Sequence, residues 1–343
     1  MTPALVHQYV ERLTGRVQDE RLFGDPIVRW LYSSARENST LLFRALTHRR
    51  FTSLLGTLRY DLYFGSRKIC GRKLLARLGA SASECLDAPE SLDTPRKVFE
   101  RRIRYWECRP MAAGKSWVVA PADARVLLGS LRSHSQIFVK HKFFDLAELL
   151  GAEKSAWQRE FAGADWMLFR LTPEKYHYTH TPVAGRVEDF YAVEGRCHAC
   201  NPYAAVREVS LLSKNSRTVT IIQTDVQGGT GIGAVAMVEV VALMIGGIEP
   251  CYSLERYADP RPLTGGMVVQ KGCPKALFRP GSSAVLLLFQ PGRVNFSPDL
   301  LQNQNRADVS SRFSAGLGRP LVETDLQVRS TLGSADLRND HAN

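Results

Sequence analysis

The step Gly281-Ser282-Ser283 stands directly before the apolar run Ala284 to Phe289, and a serine held in such a turn can attack its own backbone. The Ser282 hydroxyl, aimed at the carbonyl of Gly281, displaces the peptide nitrogen and leaves an ester. A base opens that ester by β-elimination, and the dehydroalanine so formed hydrolyses to a pyruvoyl group. Glycine suits the first position because it lacks Cβ and takes strained backbone angles at little steric cost. A pyruvoyl ketone traps amines as Schiff bases and withdraws electrons from them, as pyridoxal phosphate does elsewhere. Gly-Ser before a strand also serves as an ordinary turn, so the chemistry requires a base elsewhere in the chain.

Candidate bases lie in Tyr176-His177-Tyr178-Thr179-His180-Thr181-Pro182. Pro173 and Pro182 bracket the segment and limit any helix in it to about two turns. In a strand the two histidines would face opposite sides; in a helical turn they would share one. Either could also be a hydrogen-bonded sheet residue. Upstream, Val119-Ala120-Pro121-Ala122-Asp123 sets an aspartate after a strand and a proline, where aspartate is also a common turn residue. Cys197-His198-Ala199-Cys200 could join His177 and His180 as four zinc ligands. One Cys-x-x-Cys without a second pair is a weak zinc signal, however, and no metal is assigned. The cluster Gly228 to Gly233 lacks the lysine and the spacing of a phosphate loop; it reads as a turn for close packing or as a substrate-facing loop.

The elements that must hold these residues follow from periodicity. Up to about residue 98 the pattern is helical, with breaks at Gly24-Asp25-Pro26, Gly56, Gly65 and Gly79, and Ser81 to Pro95 reads as a linker. Beyond it come short β-branched or apolar runs bounded by Gly, Pro or Asn: Trp117 to Ala120, Val126 to Leu128, Gln136 to Val139, Ser216 to Ile222, Gly266 to Val269 and Ala284 to Phe289. They predict strands, with a short helix at Phe144 to Leu150. Glu239 in the middle of Gly231 to Ile248 argues against a membrane span and for two buried strands, or a strand and a helix. The fold class is α+β, a β-rich catalytic domain preceded by a helical N-terminal region. The tail from Ser297 is polar and is expected to wrap the domain.

Charge and cysteine content bound the setting. The chain of 343 residues carries a formal charge of +11. Nine basic residues between Arg44 and Arg77 face only Asp61, and leucines recur among them at helical spacing. Such a basic amphipathic segment suits an anionic membrane surface, although a solvated face of an ordinary helical subdomain has the same composition. No zinc finger or aromatic-basic signature accompanies the charge, so nucleic acid is not an expected partner. The seven cysteines are scattered and odd in number. The first twenty residues lack the apolar core of a signal peptide and the acid-free basic face of a transit peptide, so a reducing, cytosolic compartment is expected.

In their order and spacing these segments resemble the phosphatidylserine decarboxylases, pyruvoyl enzymes that cut themselves to make their cofactor. Phe99-Glu100-Arg101-Arg102 and Arg109-Pro110 resemble that family's aromatic-Arg and Arg-Pro segments. Pro121-Ala122-Asp123 resembles its Pro-x-Asp motif, and Tyr176-His177 with His180 and Pro182 its Tyr-His-x-x-His-x-Pro motif. Gln270-Lys271-Gly272, Phe278 and Gly281-Ser282-Ser283 resemble its maturation motif, and Glu323-Thr324 with Gly333 its closing segment. The resemblance covers about Phe99 to Gly333. It implies a pyruvoyl-dependent decarboxylase domain at 99–333, which the basic amphipathic composition upstream completes with a helical membrane-associating region at 1–98, leaving a polar tail at 334–343.

By the same resemblance, Ser282 is the self-cleaving nucleophile and the precursor of the pyruvoyl cofactor. His180 is its general base, oriented by Asp123 in a triad. His177 acts in the mature enzyme, near the substrate carboxylate or as a proton donor. The cut leaves residues 282–343 as a small fragment that stays with the large one; a homodimer is left open. The expected reaction turns phosphatidylserine of an anionic membrane into phosphatidylethanolamine and carbon dioxide, at the cytoplasmic side of a membrane to which the protein binds peripherally. Lys175, Tyr178, Ala124 and Ala276 depart from the family pattern, which bears on head-group recognition. A related decarboxylase of free amino acids and a non-catalytic membrane-binding homologue are the competing expectations.

Overall fold

The computed structural model describes residues 6–22, 25–35, 48, 60, 71–132, 143–241, 247–281 and 283–336. The expected strand at Gln136 to Val139, most of the basic stretch from Arg44 to Cys70, and Ser282 itself lie outside the described residues.

Sixteen strands follow one another among those residues. They are β1 (Gln8–Glu11), β2 (Val17–Asp19), β3 (Trp117–Val119), β4 (Ala124–Ser130), β5 (Asp165–Leu171), β6 (Tyr178–His180), β7 (Gly185–Val193) and β8 (Arg217–Gln223), then β9 (Ala234–Val241), β10 (Ile248–Pro250), β11 (Val268–Val269), β12 (Pro274–Phe278), β13 (Ser283–Phe289), β14 (Val294–Phe296), β15 (Glu323–Leu326) and β16 (Thr331–Ala335). Ten of them form one sheet in the order β11-β7-β8-β9-β13-β5-β4-β15-β1-β2, and two three-stranded sheets, β10-β12-β6 and β14-β16-β3, stand beside it. Every pairing in the large sheet is antiparallel except β1 on β15.

Side chains alternate between the two faces of this sheet, which explains why its central strands read as unbroken apolar runs. On β13, Leu286 and Leu288 face one core with Val238 and Val240 of β9, together with Ala204, Leu211 and Phe313 from short helices. Val285, Leu287 and Phe289 face the other core, with Met237, Phe278 of β12 and Leu332 of β16. Helices therefore cover one face and the small sheets cover the other. The expected helix near Phe144 starts at Leu146, where the Asp145 carboxylate accepts from the backbone N–H of Glu148 at 2.9 Å.

Two segments differ from the sequence reading. The first twenty residues contain the hairpin of β1 and β2, because Val10 is buried against Val309 and Val322 and the strand finds a free edge on β15. The helix Gly71–Leu78 turns Leu74 and Leu75 inward against Cys85, Leu92 and Val98, so its apolar face is spent within the protein. The segment Ser81 to Pro95 completes that packing instead of spanning a gap. No described helix is long and apolar enough to cross a membrane. The glycine cluster between β8 and β9 is a tight turn: a Cβ on Gly229 would meet the Thr224 carbonyl oxygen at 2.1 Å, and Gly233 sits at φ 72°.

Removing the Leu286 side chain, fully buried in β13, is expected to cost about 2–5 kcal/mol. The exposed Leu301 replaced by alanine should change stability by no more than about 0.5 kcal/mol. Urea unfolding of Leu286→Ala and Leu301→Ala checks both.

Candidate active site

One end of the large sheet gathers the residues singled out by chemistry. Asp123 immediately precedes β4, Leu171 ends β5, Ser283 begins β13 and Val241 ends β9; Ser283 is paired with both Leu171 and Val241. Since β5 alone separates β4 from β13, the starts of those two strands are about 9–10 Å apart across the sheet. The chain leaving β5 returns as β6, which pairs with β12, the strand that leads into Gly281. The backbone N–H of Phe278 donates to the His177 carbonyl at 3.0 Å, and His180 lies opposite Pro274 at the other end of β12. His180 is also tied to the Asp123 turn, its N–H donating to the Pro121 carbonyl at 2.7 Å.

Gly281 is buried at φ 151°, a backbone angle that residues with a Cβ rarely adopt. The Ser283 hydroxyl is buried without a hydrogen-bond partner. Ser282 between them is not described.

His180 is fully buried. Its Nδ1 lies 2.9 Å from the carbonyl oxygen of Gly272, which can only accept, so Nδ1 carries the proton. Its Nε2 is then the basic nitrogen, 3.0 Å from the Tyr176 hydroxyl that donates to it. Burial, with help from Arg329, pushes the His180 pKa down to about 3 against the opposing pull of the Gly272 carbonyl and Asp123. His177 is equally buried, stacks on Phe99 with ring centroids 3.5 Å apart, and has neither ring nitrogen in a hydrogen bond. Burial holds it well below the ordinary histidine range, and the Arg101 charge adds to that; the Lys175 carbonyl, outside hydrogen-bonding geometry, opposes both. Both imidazoles are therefore neutral, the form in which a ring nitrogen can accept a proton.

The expected pairing of Asp123 with His180 does not form. Arg109 takes the Asp123 carboxylate in a two-pronged grip, Nε to Oδ1 at 3.0 Å and Nη2 to Oδ2 at 2.8 Å, and the N–H of Val328 donates to Oδ1 at 2.8 Å. Arg109 then reaches Glu84 with its remaining hydrogens, at 3.0 Å to each oxygen. Burial alone would raise the Asp123 carboxyl, but the Arg109 charge and hydrogen bonds more than reverse it, so its pKa falls below the ordinary value. A guanidinium satisfies a buried carboxylate better than a neutral ring can. The Gly272 carbonyl does the work of fixing the His180 tautomer instead.

Beneath β6 lies a buried pair that sequence reading missed. Lys275 of β12 donates to Glu239 of β9, and the hydroxyl of Thr179, midway along β6, donates to the other Glu239 oxygen at 2.5 Å. A glutamate in the middle of the apolar run of β9 and a lysine before Ala276-Leu277-Phe278 were the available signal. The Tyr176 hydroxyl also meets that of Tyr257 at 2.7 Å.

The zinc reading of Cys197 and Cys200 with the two histidines does not hold. Cys200 and Ala199 belong to the core on the helix-covered face, whereas Phe278 beside His177 belongs to the opposite face. Among the described residues the one cluster of three potential ligands is His7, Glu20 and Glu323. Its carboxylates are already engaged by Arg125 and Arg170.

Replacing Arg109 with methionine leaves a buried carboxylate unpaired, and a loss of about 3–5 kcal/mol is expected at neutral pH. A carboxyl with a lowered folded pKa stabilises above its ordinary titration, about pH 4, and that contribution fades as pH falls through the folded value. The gap between parent and Arg109→Met in urea unfolding should therefore narrow below about pH 4.

A family model described as phosphatidylserine decarboxylase matches residues 96–315. A phosphatidylserine decarboxylase proenzyme of Chlamydia trachomatis serovar L2 is 30% identical over 315 residues, covering 91% of this chain and 96% of the relative. Proteins of the same name from Chlamydia pneumoniae, 29% identical over 91% of this chain and 97% of the relative, and from Bordetella petrii, 29% identical over 66% and 79%, are also similar. With the two histidines, Asp123 and Gly281 in the family's order and at one end of the sheet, the chain belongs to the phosphatidylserine decarboxylase family and is a decarboxylase, a carboxy-lyase.

Proposed function

We propose that the chain is a proenzyme that cuts itself between Gly281 and Ser282 and then converts phosphatidylserine to phosphatidylethanolamine and carbon dioxide. The observation that carries this reading is the pair of buried, neutral histidines on and beside β6, facing the strand that leads into Gly281. The residues present fit a group made from Ser282: the Ser283 hydroxyl and both His177 nitrogens are buried polar atoms without partners, which is costly unless a ligand or reacting group meets them.

In this reading His180, although it lies opposite Pro274 and farther along β12 from Gly281 than His177 does, is the base for the cut. Its proton on Nδ1 is held by Gly272, which leaves Nε2 to accept the Ser282 hydroxyl proton once the Tyr176 hydroxyl yields. Asp123, neutralised by Arg109, fixes the turn whose Pro121 carbonyl anchors His180. The pyruvoyl group would accept the substrate amine and draw off the electron pair freed when carbon dioxide leaves. His177, with free nitrogens in a dry pocket against Phe99, would then hold the substrate carboxylate or return a proton to carbon.

Residues 282–343 carry β13, β14, β15 and β16, which interleave with strands from the rest of the chain, so the two fragments would stay together after the cut. Tyr60 meets Phe99 edge-on at 6.0 Å, and Phe99 stacks on His177. The basic, leucine-bearing sequence between Arg44 and Arg77 suits a protein working peripherally at the cytoplasmic face of an anionic membrane.

Intact-mass spectrometry under denaturing conditions should show two fragments for the parent and one uncut chain for Ser282→Ala. His180→Ala should stay uncut, whereas His177→Ala should be cut and release carbon dioxide from phosphatidylserine vesicles at least about a hundredfold more slowly, the scale of lost acid–base catalysis. A parent chain that is folded and uncut would sink the processing reading. Carbon dioxide released from free serine but not from vesicles would select the amino-acid decarboxylase instead.

A further inference from the structure

At the Gly272–Cys273 end of β12, the end away from Gly281, a cavity of about 630 Å³ opens to solvent. Two of its walls are unusual. Arg256 lies over the Trp106 ring at 4.1 Å and Arg329 over the neighbouring Tyr105 ring at 5.0 Å. The two ring centroids are 5.3 Å apart, so the guanidiniums are stacked on adjacent platforms. The ring faces hold both guanidiniums at the cavity wall.

Neither arginine has a carboxylate partner among the described residues. Arg329 spends one nitrogen on the carbonyls of Tyr105 and Arg109, at 3.1 and 3.0 Å, and its Nε is buried with no partner. Arg256 is exposed and has only its ring contact. Elsewhere the buried guanidiniums of Arg109, Arg125 and Arg170 are matched to acids.

The backbone adds an independent sign. Arg256 and Arg329 are two of the four non-glycine residues with positive φ among those described, at 60° and 70°. Glycine would take these angles without strain, so a side chain is being kept at each position against a local cost. Lys271 also lines the cavity, its ammonium capped by the carbonyls of Gly114, Lys115 and Trp117, and Glu255 is the single opposing carboxylate.

We propose that this cavity is a binding site for a phosphate-bearing anion of about head-group size. Two guanidiniums without a carboxylate partner offer N–H groups that phosphate oxygens accept, and the volume exceeds what a bare ion fills. The site adjoins His180 through Gly272 and Tyr105 but does not depend on the decarboxylation reading. A free phosphate ester and the phosphodiester of a membrane lipid share this chemistry.

Calorimetric titration of the full chain with glycerol phosphate and with inorganic phosphate, and sedimentation with phosphatidylcholine vesicles with or without phosphatidylglycerol, test it. Glycerol phosphate should bind saturably and more tightly than inorganic phosphate. Arg256→Gly should weaken binding at least about tenfold while the thermal midpoint holds or rises, since glycine relieves the backbone. Glu255→Gln should tighten it. Vesicle binding that depends on phosphatidylglycerol, falls in Arg256→Gly and is competed by glycerol phosphate assigns the site to a lipid; ester binding without that vesicle effect assigns it to a soluble ligand. No saturable binding of either phosphate or of the anionic vesicles, or equal binding by Arg256→Gly and the parent, overturns the proposal.

Discussion

Strand β13 is hydrogen-bonded along both edges and buried on both faces, and the rest of the molecule is arranged around that constraint. Its register against β5 and β9 sets where Ser283 stands, and hence where the turn from Gly281 must fall. A slip of one residue would exchange its two faces, putting Leu286 where Val285 now packs. Seven consecutive buried residues paired on two sides leave no such freedom. Asp123 on the far side of β5 and the two histidines on the return from β5 inherit their positions from it.

Much of the charge in this interior is paired, while the buried Arg101 and Arg217 meet backbone carbonyls instead. Arg109 with Asp123 and Lys275 with Glu239 bracket the histidine strand. Arg170 and Arg125 bind Glu20 and Glu323 between β4, β5 and β15, where His7 also meets Glu323 at 2.9 Å. Each ion pair removes a burial penalty that a lone charge would carry. The imidazoles, left without a carboxylate of their own, stay neutral for the same reason. Neutral bases beside self-cancelling pairs, with Arg101 near His177 as a further charge that disfavours its protonation, suit a buried proton transfer, and the arrangement does not require Asp123 to touch a histidine.

Much of this could be read from the residues. The apolar run Ala284 to Phe289 is β13, and the proline-bounded histidines and the aspartate after Pro121 do converge on one end of the sheet. Their partners could not be read. Gly272 lies 92 residues from His180 along the chain and Arg109 lies 14 from Asp123, and nothing local to either residue announces the match. β12 was invisible because Pro274 and Lys275 spoil its pattern; the lysine is there because Glu239 is across from it. The N-terminal hairpin was hidden in a similar way. Its β1 segment is only four residues long and owes its existence to an edge supplied by β15, more than three hundred residues later.

Interleaving of the chain's last four strands with its earlier ones also governs how the molecule can be remade. As one chain, the sheet assembles in a unimolecular reaction, with β13 and β15 delivered to their slots at high effective concentration. Once severed at the Gly281 turn, the same sheet could be regained only by a second-order encounter of two pieces, each lacking the neighbours that define its strands. The cut form would then persist because it opens slowly, its lifetime set by a barrier and not by an equilibrium. Such a protein folds once.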